Sequence, residues 1–131
     1  MTRSLEGLTI LVVEDEYLVA KLLCEMILDN GGAVVGPAPD VTKAHSLLDE
    51  RPVDGAILDV KLDSVTSFPL ADSLIGAGTP IIFATGYDTP HLPEAYTHIP
   101  RLLKPFRKQQ LLKLIEATFK KLTRNQQLSR R

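Results

Sequence analysis

The chain has 131 residues, 44% of them hydrophobic, which is enough for one compact core but short for two ordinary domains. Its single cysteine, Cys24, excludes an intramolecular disulfide, and no apolar stretch approaches the ~20 residues that a membrane-spanning helix needs. We therefore expect one soluble domain without a signal peptide, located in the cytoplasm and not bound to a membrane.

The formal net charge of -1 is unevenly distributed. Residues 107–131 carry eight basic side chains and one acidic one, a net charge of +7, so residues 1–106 carry -8. A basic end can bind nucleic acid, an anionic membrane or an acidic partner. We favour a solvated last helix followed by a frayed basic tail over residues 123–131. A nucleic-acid-binding module acting through this end stays open as an alternative.

Apolar runs alternate with segments of helical periodicity along the first half of the chain. TILVV, residues 9–13, is typical of a strand buried on both faces, and a helix follows from Glu16 until Gly31 and Gly32 end it. AVVGP, residues 33–37, predicts a second strand. Asp40 suits the N-cap of a second helix over residues 41–50.

The same alternation continues in the second half. GAILDV, residues 55–60, predicts a third strand and a loop, and Thr66 or Ser67 is the predicted cap of a helix over residues 68–78. PIIFAT, residues 80–85, and RLLK, residues 101–104, are the fourth and fifth strands. Apolar residues at helical spacing then predict an amphipathic last helix from Arg107 to Leu122.

The connection between the fourth and fifth strands contains Pro90, Pro93 and Pro100, which weaken a helix. We expect only a short, mobile helix or turn around Pro93 to Thr97. One interpretation is that this mobility is functional and lets the segment reorganise, and the other is that the loop simply tolerates prolines.

Five strands separated by helical segments predict an α/β fold with a doubly wound parallel sheet and right-handed crossovers. Ligands of such sheets bind at the carboxyl ends of the strands. The polar residues at those ends are Glu14, Asp15, Glu16, Asp59, Thr85 and Lys104. Converging carboxylates favour a bound cation such as Mg²⁺, and a carboxylate can also act as a nucleophile towards phosphorus. Taken singly, each residue has a plainer interpretation as a helix cap, a loop residue or part of a turn.

The motifs LVVEDE, AILDVKL, IIFATG and LLKPF, in this order and spacing, resemble the receiver domain of two-component response regulators. The similarity covers about residues 7–122, and we expect the receiver domain over residues 1–122. It implies a flavodoxin-like (βα)5 sheet with strand order 2-1-3-4-5. FATGY further resembles the Phe-Ala-Thr-Gly motif of a subgroup of stand-alone, single-domain receivers.

The resemblance also implies a role for each residue at the strand ends. Asp59 would be the phosphoacceptor and would bind Mg²⁺ together with Asp15, with Glu14 acting through water. Lys61 would give the metal its backbone carbonyl. Thr85 would be the switch hydroxyl. Lys104 would bind the phosphoryl group and precede a cis bond to Pro105.

The sequence departs from the family pattern in the fifth strand. Most receivers have an aromatic residue three positions before the lysine, and Arg101 stands there. Tyr87, directly after Gly86, is a candidate replacement for the missing aromatic switch.

The function implied is that of a phosphoacceptor, not an enzyme beyond self-dephosphorylation, acting through protein interaction or as a phosphate sink. Its donor would be a histidine kinase or a histidine phosphotransfer protein, and GGAVVGPA resembles receivers that accompany kinases of the HWE or related type. The downstream protein is not identified, and nucleic acid is a disfavoured partner. A degenerate receiver used as a phosphorylation-independent scaffold is the other alternative. A magnesium phosphohydrolase of the haloacid-dehalogenase type is disfavoured because Lys61 stands where that family needs its second aspartate.

Overall fold

A computed structural model describes residues 4–86 and 91–120 of the chain. The main sheet has five parallel strands in the order β2-β1-β3-β6-β7, and a separate antiparallel hairpin pairs β4 with β5. In chain order the strands are β1 (Thr9–Val13), β2 (Ala33–Ala38), β3 (Gly55–Asp59), β4 (Lys61–Leu62), β5 (Val65–Thr66), β6 (Ile81–Thr85) and β7 (Arg101–Leu103). Without the hairpin, this is the predicted order 2-1-3-4-5, and the flavodoxin-like doubly wound fold is confirmed.

Within the described residues, three α-helices connect strands of the main sheet and a fourth follows its last strand. They are α1 (Tyr17–Asp29), α2 (Val41–Glu50), α3 (Phe68–Gly76) and α4 (Lys108–Ile115). Asp40 caps α2 as predicted, because its carboxylate accepts a hydrogen bond of 2.8 Å from the Lys43 backbone N–H. Ser67 occupies the N-cap position of α3, but its side chain makes no capping hydrogen bond.

The connection between β6 and β7 contains a single 3₁₀ turn, Glu94–Tyr96, in place of a full helix. The predicted position of the short helix is therefore confirmed, while its mobility stays a prediction. Leu92 and Ile99, on either side of the turn, are buried in the core. The segment is thus anchored at both ends although it lacks a long helix.

The core forms two layers, one on each face of the main sheet. Because side chains alternate along a strand, Leu11 and Val13 of β1 join one layer while Ile10 and Val12 join the other. Both faces of the central strands are therefore covered by helices, which explains why their sequences are almost continuously apolar. No helix in the described parts of the chain has the length and apolarity that crossing a membrane requires.

Two sequence predictions require correction. The segment after Asp59, predicted as a loop, contains the β4–β5 hairpin. The last helix, predicted to be continuous to Leu122, is α-helical only to Ile115 and continues as a π-turn over Glu116–Lys120, whereas Leu122 lies outside the described residues. Apolar spacing alone does not separate an α-turn from a π-turn, since both place residues four apart on similar faces.

Candidate functional site

The register of the main sheet brings the predicted site residues to one edge. β1 pairs with β3 so that Val13 lies beside Leu58, which places Glu14 and Asp15 next to Asp59. β6 pairs with β3 on its other side, and Thr85 is the last residue of β6. β7 follows, and Lys104 comes directly after it. Four strands therefore deliver their terminal polar residues to a common edge.

Three carboxylates form the centre of this edge. Glu14, Asp15 and Asp59 each offer an oxygen, and these oxygens lie within 4.8 Å of one another. Glu14 is 2% exposed and Asp59 is 6% exposed, whereas Asp15 is exposed to solvent. An open cavity of about 240 Å³ lies over the cluster, and its lining residues are Asp15, Glu16, Asp59, Lys61, Asp63, Gly86 and Lys104.

The ammonium group of Lys104 is the cation nearest these carboxylates among the described residues. Its Nζ lies 2.7 Å from Glu14 Oε1 and 3.2 Å from Asp59 Oδ2, with Glu16 Oε1 further away at 3.9 Å. The Lys104 backbone N–H also donates a hydrogen bond of 2.7 Å to the Thr85 carbonyl oxygen. The Lys104–Pro105 and Gly36–Pro37 bonds are both cis, and only the first was expected from the sequence.

The electrostatics of the cluster follow from its burial. Burial and the neighbouring Asp59 carboxylate raise the pKa of Glu14 to about 8, and Lys104 offsets only part of this effect. Burial alone would lower the pKa of Lys104, but the carboxylates of Glu14 and Asp59 outweigh it and raise that pKa. One ammonium group thus contacts two of the three clustered carboxylates, those of Glu14 and Asp59. This excess of close oxygen ligands fits a hard divalent cation such as Mg²⁺.

Two further predicted residues lie beside the cluster, and one cannot be placed. Thr85 is buried at the end of β6, and exposed Lys61 lines the cavity from β4. Arg101 is exposed at the start of β7, where it pairs with Phe83 in the sheet. Tyr87 lies outside the described residues.

Sequence reasoning missed the contribution of the hairpin. The backbone N–H of Asp63, in the turn between β4 and β5, donates a hydrogen bond of 2.9 Å to Asp15 Oδ2. The signal was the dipeptide Asp63-Ser64 between two short segments that each include an apolar residue, a weak form of the hairpin pattern. Glu16 was noted among the polar residues that follow the first strand but was assigned no role, and it forms part of the cavity wall.

A second, more apolar hollow of about 430 Å³ adjoins the acidic cavity. It lies between the start of α1 and the segment after Lys104, and its lining residues are Glu16, Val19, Leu22, Gly86, Lys104, Pro105 and Phe106. Tyr17 and Leu18, at the beginning of α1, are 75% and 76% exposed. Exposed apolar side chains therefore lie directly beside the polar site.

The family model of the response regulator receiver domain matches residues 10–116. The chain belongs to this family. Receiver domains are generally signalling modules and not enzymes. They bind Mg²⁺ at an acidic pocket and interact with histidine kinases or phosphotransfer proteins. In this receiver domain the acidic cluster of Glu14, Asp15 and Asp59 lies at the corresponding edge of the sheet.

Individual relatives agree with the family assignment. The transcriptional regulatory protein PdtaR of Mycobacterium tuberculosis is 30% identical over 111 residues, which are 82% of this chain and 54% of the relative. The receiver domain therefore spans about half the length of this curated relative. The solution structure of SdrG from Sphingomonas melonis Fr1 is 32% identical, with a TM-score of 0.77 over 87% of this chain and 96% of SdrG. The response regulator PhyR of Brucella abortus, at 22% identity, has a TM-score of 0.81 over 96% of this chain and 54% of its own, and shows the shared fold.

Proposed function

We propose that this receiver domain is the phosphoacceptor of a two-component phosphorelay and that Asp59 takes up the phosphoryl group. The observation that carries the proposal is the position of the Asp59 carboxylate. It ends β3, borders an open cavity, and has one oxygen, Oδ2, 3.2 Å from the Lys104 ammonium group. A nucleophile and the cation that balances its product charge are therefore already adjacent.

The transfer needs one bond formed and one bond broken. Asp59 Oδ1, the oxygen that does not face Lys104, attacks phosphorus in line with the bond to the donor histidine nitrogen. The new P–O bond forms as the P–N bond breaks, and the imidazole leaves with the bonding electron pair and takes up a proton. Lys104 then pairs with a phosphoryl oxygen, which compensates part of the added charge.

The cation proposed for the site is Mg²⁺, held by Asp15, Asp59, the Lys61 carbonyl oxygen and, through water, Glu14. When bound it neutralises negative charge on the equatorial phosphoryl oxygens. The cluster of three carboxylates beside one ammonium group supports this choice. The negative charges of the carboxylates exceed the single positive charge of Lys104, and a bound cation would compensate the difference.

We propose that the donor is a histidine kinase, of the HWE or a related type, or a histidine phosphotransfer protein in the cytoplasm. The apolar hollow between α1 and Phe106 supports a protein donor because it opens directly beside the acidic cavity. Exposed Tyr17 and Leu18 extend the same face. Phosphorylation of Asp59 then serves either signalling through a downstream protein or a phosphate sink.

The readout is proposed to involve Thr85 and the segment that follows it. Thr85 ends β6, and its hydroxyl is the group available to bond the phosphoryl oxygens from that strand. Tyr87 is the proposed aromatic partner of this switch, and residues 86–100 are the proposed responding segment. The stand-alone character and membership of the Phe-Ala-Thr-Gly subgroup stay predictions from the sequence.

The experiment is amide NMR with Mg²⁺ and acetyl phosphate, or beryllofluoride as a phosphoryl mimic. We expect shifts at Asp15, Thr85 and Lys104 and along residues 86–100 in the wild type, and none in Asp59→Asn. Asp49→Asn, an exposed carboxylate of α2, is the matched control and should behave like the wild type. A wild-type spectrum that does not respond to metal and donor together would contradict the proposal and favour a receiver used as a phosphorylation-independent scaffold.

A further inference from the structure

The β4–β5 hairpin reaches over the acidic site from the end of β3. Lys61 pairs with Thr66 and Leu62 with Val65, which leaves Asp63 and Ser64 as the two residues of the turn. Asp63 has a φ of +57°. Among the described residues other than glycine, it alone has a positive φ. Asp and Asn adopt this left-handed conformation more readily than other non-glycine residues, so the residue type fits the turn.

The turn meets the site through its backbone. The Asp63 backbone N–H donates a hydrogen bond of 2.9 Å to Asp15 Oδ2. Asp15 is one of the three clustered carboxylates, with Glu14 and Asp59. Asp15 needs such support more than the other two. It lies beyond the end of β1 and is exposed, while Glu14 and Asp59 are held by burial and by Lys104.

The hairpin is itself fixed to the core. Leu62 is 2% exposed and packs in the same apolar layer as Val60. At the base of the hairpin, the Ser67 backbone N–H donates to the Val60 carbonyl oxygen at 2.9 Å. A displacement of the Asp63 turn would therefore disturb buried groups. Core packing thus fixes the position of the N–H that donates to Asp15.

We propose that the β4–β5 hairpin positions the cation site, with the backbone N–H of Asp63 holding the Asp15 carboxylate so that its other oxygen faces the ion. Asp63 is thus a positioning residue whose side chain matters for the turn and not for its charge. The inference rests on the proposed function for the identity of the cation. The geometry that carries it is independent of phosphoryl transfer.

The first test is a Mg²⁺ titration followed by amide NMR, without any phosphodonor. Asp63→Asn and Asp63→Gly keep both the N–H and access to positive φ, so we expect Mg²⁺ affinity close to that of the wild type. Asp63→Val disfavours positive φ and displaces the N–H, and we expect affinity to fall about tenfold or more, as is typical when a group orienting a metal ligand is lost. Ser64→Val, at the exposed neighbouring turn position that does not line the cavity, is the matched control and should bind normally.

The outcomes separate the two proposals. If the wild type binds Mg²⁺ and Asp63→Val binds equally well, the positioning role is wrong while the proposed function stands. If Asp63→Asn and Asp63→Gly lose as much affinity as Asp63→Val, the carboxylate charge and not the backbone is responsible, and the inference is again wrong. A wild type that does not bind Mg²⁺ at all contradicts the metal site of the proposed function.

A second measurement needs neither metal nor a well-folded Asp63→Val protein. In metal-free protein, Asp15→Ala removes the acceptor of the Asp63 N–H, while Asp15→Asn keeps an acceptor oxygen. We expect the Asp63 amide proton to move upfield and to exchange faster with solvent in Asp15→Ala than in Asp15→Asn. An Asp63 amide that is unaffected by Asp15→Ala would overturn the inference whatever the chain binds.

Discussion

Lys104 and Asp59 form an ion pair of 3.2 Å although their strands, β7 and β3, are separated in the sheet by β6. The Lys104 side chain reaches across the carboxyl end of β6 and also lies 2.7 Å from Glu14, beyond Asp59. One ammonium group therefore links the ends of three strands. The stability of the metal-free fold should depend on this group.

The first prediction concerns Lys104→Met in metal-free protein. Loss of the ammonium group leaves Glu14 and Asp59 facing each other in a buried place, so we expect a loss of about 1–3 kcal/mol in the free energy of unfolding at pH 8. The loss should be smaller at pH 5, where protonated Glu14 no longer repels Asp59. Urea unfolding at pH 8 and at pH 5 measures the two losses in unfolding free energy, and exposed Lys108→Met is the control. Equal losses at both pH values would show that the charge of Glu14 is not involved.

The second prediction is a pH dependence carried by Glu14. Its pKa is raised from 4.5 to about 8 in the folded protein, so the protonated form is bound more tightly there. The associated stability is fully present below pH 4.5 and is lost as the pH rises towards 8, by at most about 1.4 kcal/mol per unit of pKa difference. The raised pKa of Lys104 acts only at higher pH.

Thermal unfolding without metal should therefore show a melting temperature that falls between pH 5 and pH 8. Glu14→Gln should flatten this decline, and exposed Glu25→Gln should leave it unchanged. Saturating Mg²⁺ should reduce the decline in the wild type, since the ion favours ionised carboxylates. A wild-type profile that rises over this range would contradict the assignment to Glu14.

The third prediction concerns the anchor of the β6–β7 connection. The Tyr96 ring stacks on Phe68 with centroids 4.6 Å apart and meets Phe83 edge-on at 6.0 Å, and its hydroxyl donates to Asp72 at 2.8 Å. Tyr96→Phe keeps the ring contacts and should cost about 1 kcal/mol or less. Tyr96→Ala removes them and should cost about 2 kcal/mol, a value below that of a fully buried aromatic residue. Urea unfolding gives the two costs.

Amide hydrogen exchange locates the effect of these Tyr96 variants. In Tyr96→Ala we expect faster exchange at residues 92–99 than in Tyr96→Phe, because the local opening free energy falls. Identical exchange in both variants would mean that the aromatic stack does not anchor the connection.

The fourth prediction tests the packing of the last helical segment against β3. A Cβ added at Gly55 would lie 2.6 Å from the ring of buried Phe119, so Gly55→Ala should destabilise the fold by about 1–3 kcal/mol. Gly76→Ala is the matched control, since a Cβ there meets nothing within 4 Å. Combining Gly55→Ala with Phe119→Leu should recover part of the loss. Urea unfolding that finds both alanine variants equally stable would contradict the predicted clash.

The sheet and the site could be predicted because they depend on local patterns at fixed places. Apolar runs ended by Asp59 and Thr85 mark where two strands stop, and a parallel sheet brings such ends together. Asp40 was predictable as a cap because a capping side chain bonds a backbone N–H only a few residues away.

Other features depend on partners far along the chain, so local patterns predict them weakly or not at all. The hydrogen bond from Asp63 to Asp15 spans 48 positions. The dipeptide Asp63-Ser64 considered alone predicts only a loop, and its contact with the site depends on the fold. The contact of Tyr96 with Phe68 is likewise set by how the β6–β7 connection folds onto α3. The π-turn after Ile115 escaped prediction because spacing gives the buried face of a helix and not its hydrogen-bond pattern.

The outer strands of the main sheet limit unwanted assembly. β2, at one edge, contains Gly36 and Pro37, and β7, at the other, has three residues and begins with exposed Arg101. Proline, a short strand and an exposed charge each discourage the addition of a strand from another molecule. Neither border therefore offers a long template for the addition of strands from other molecules, so aggregation through the sheet edges is disfavoured.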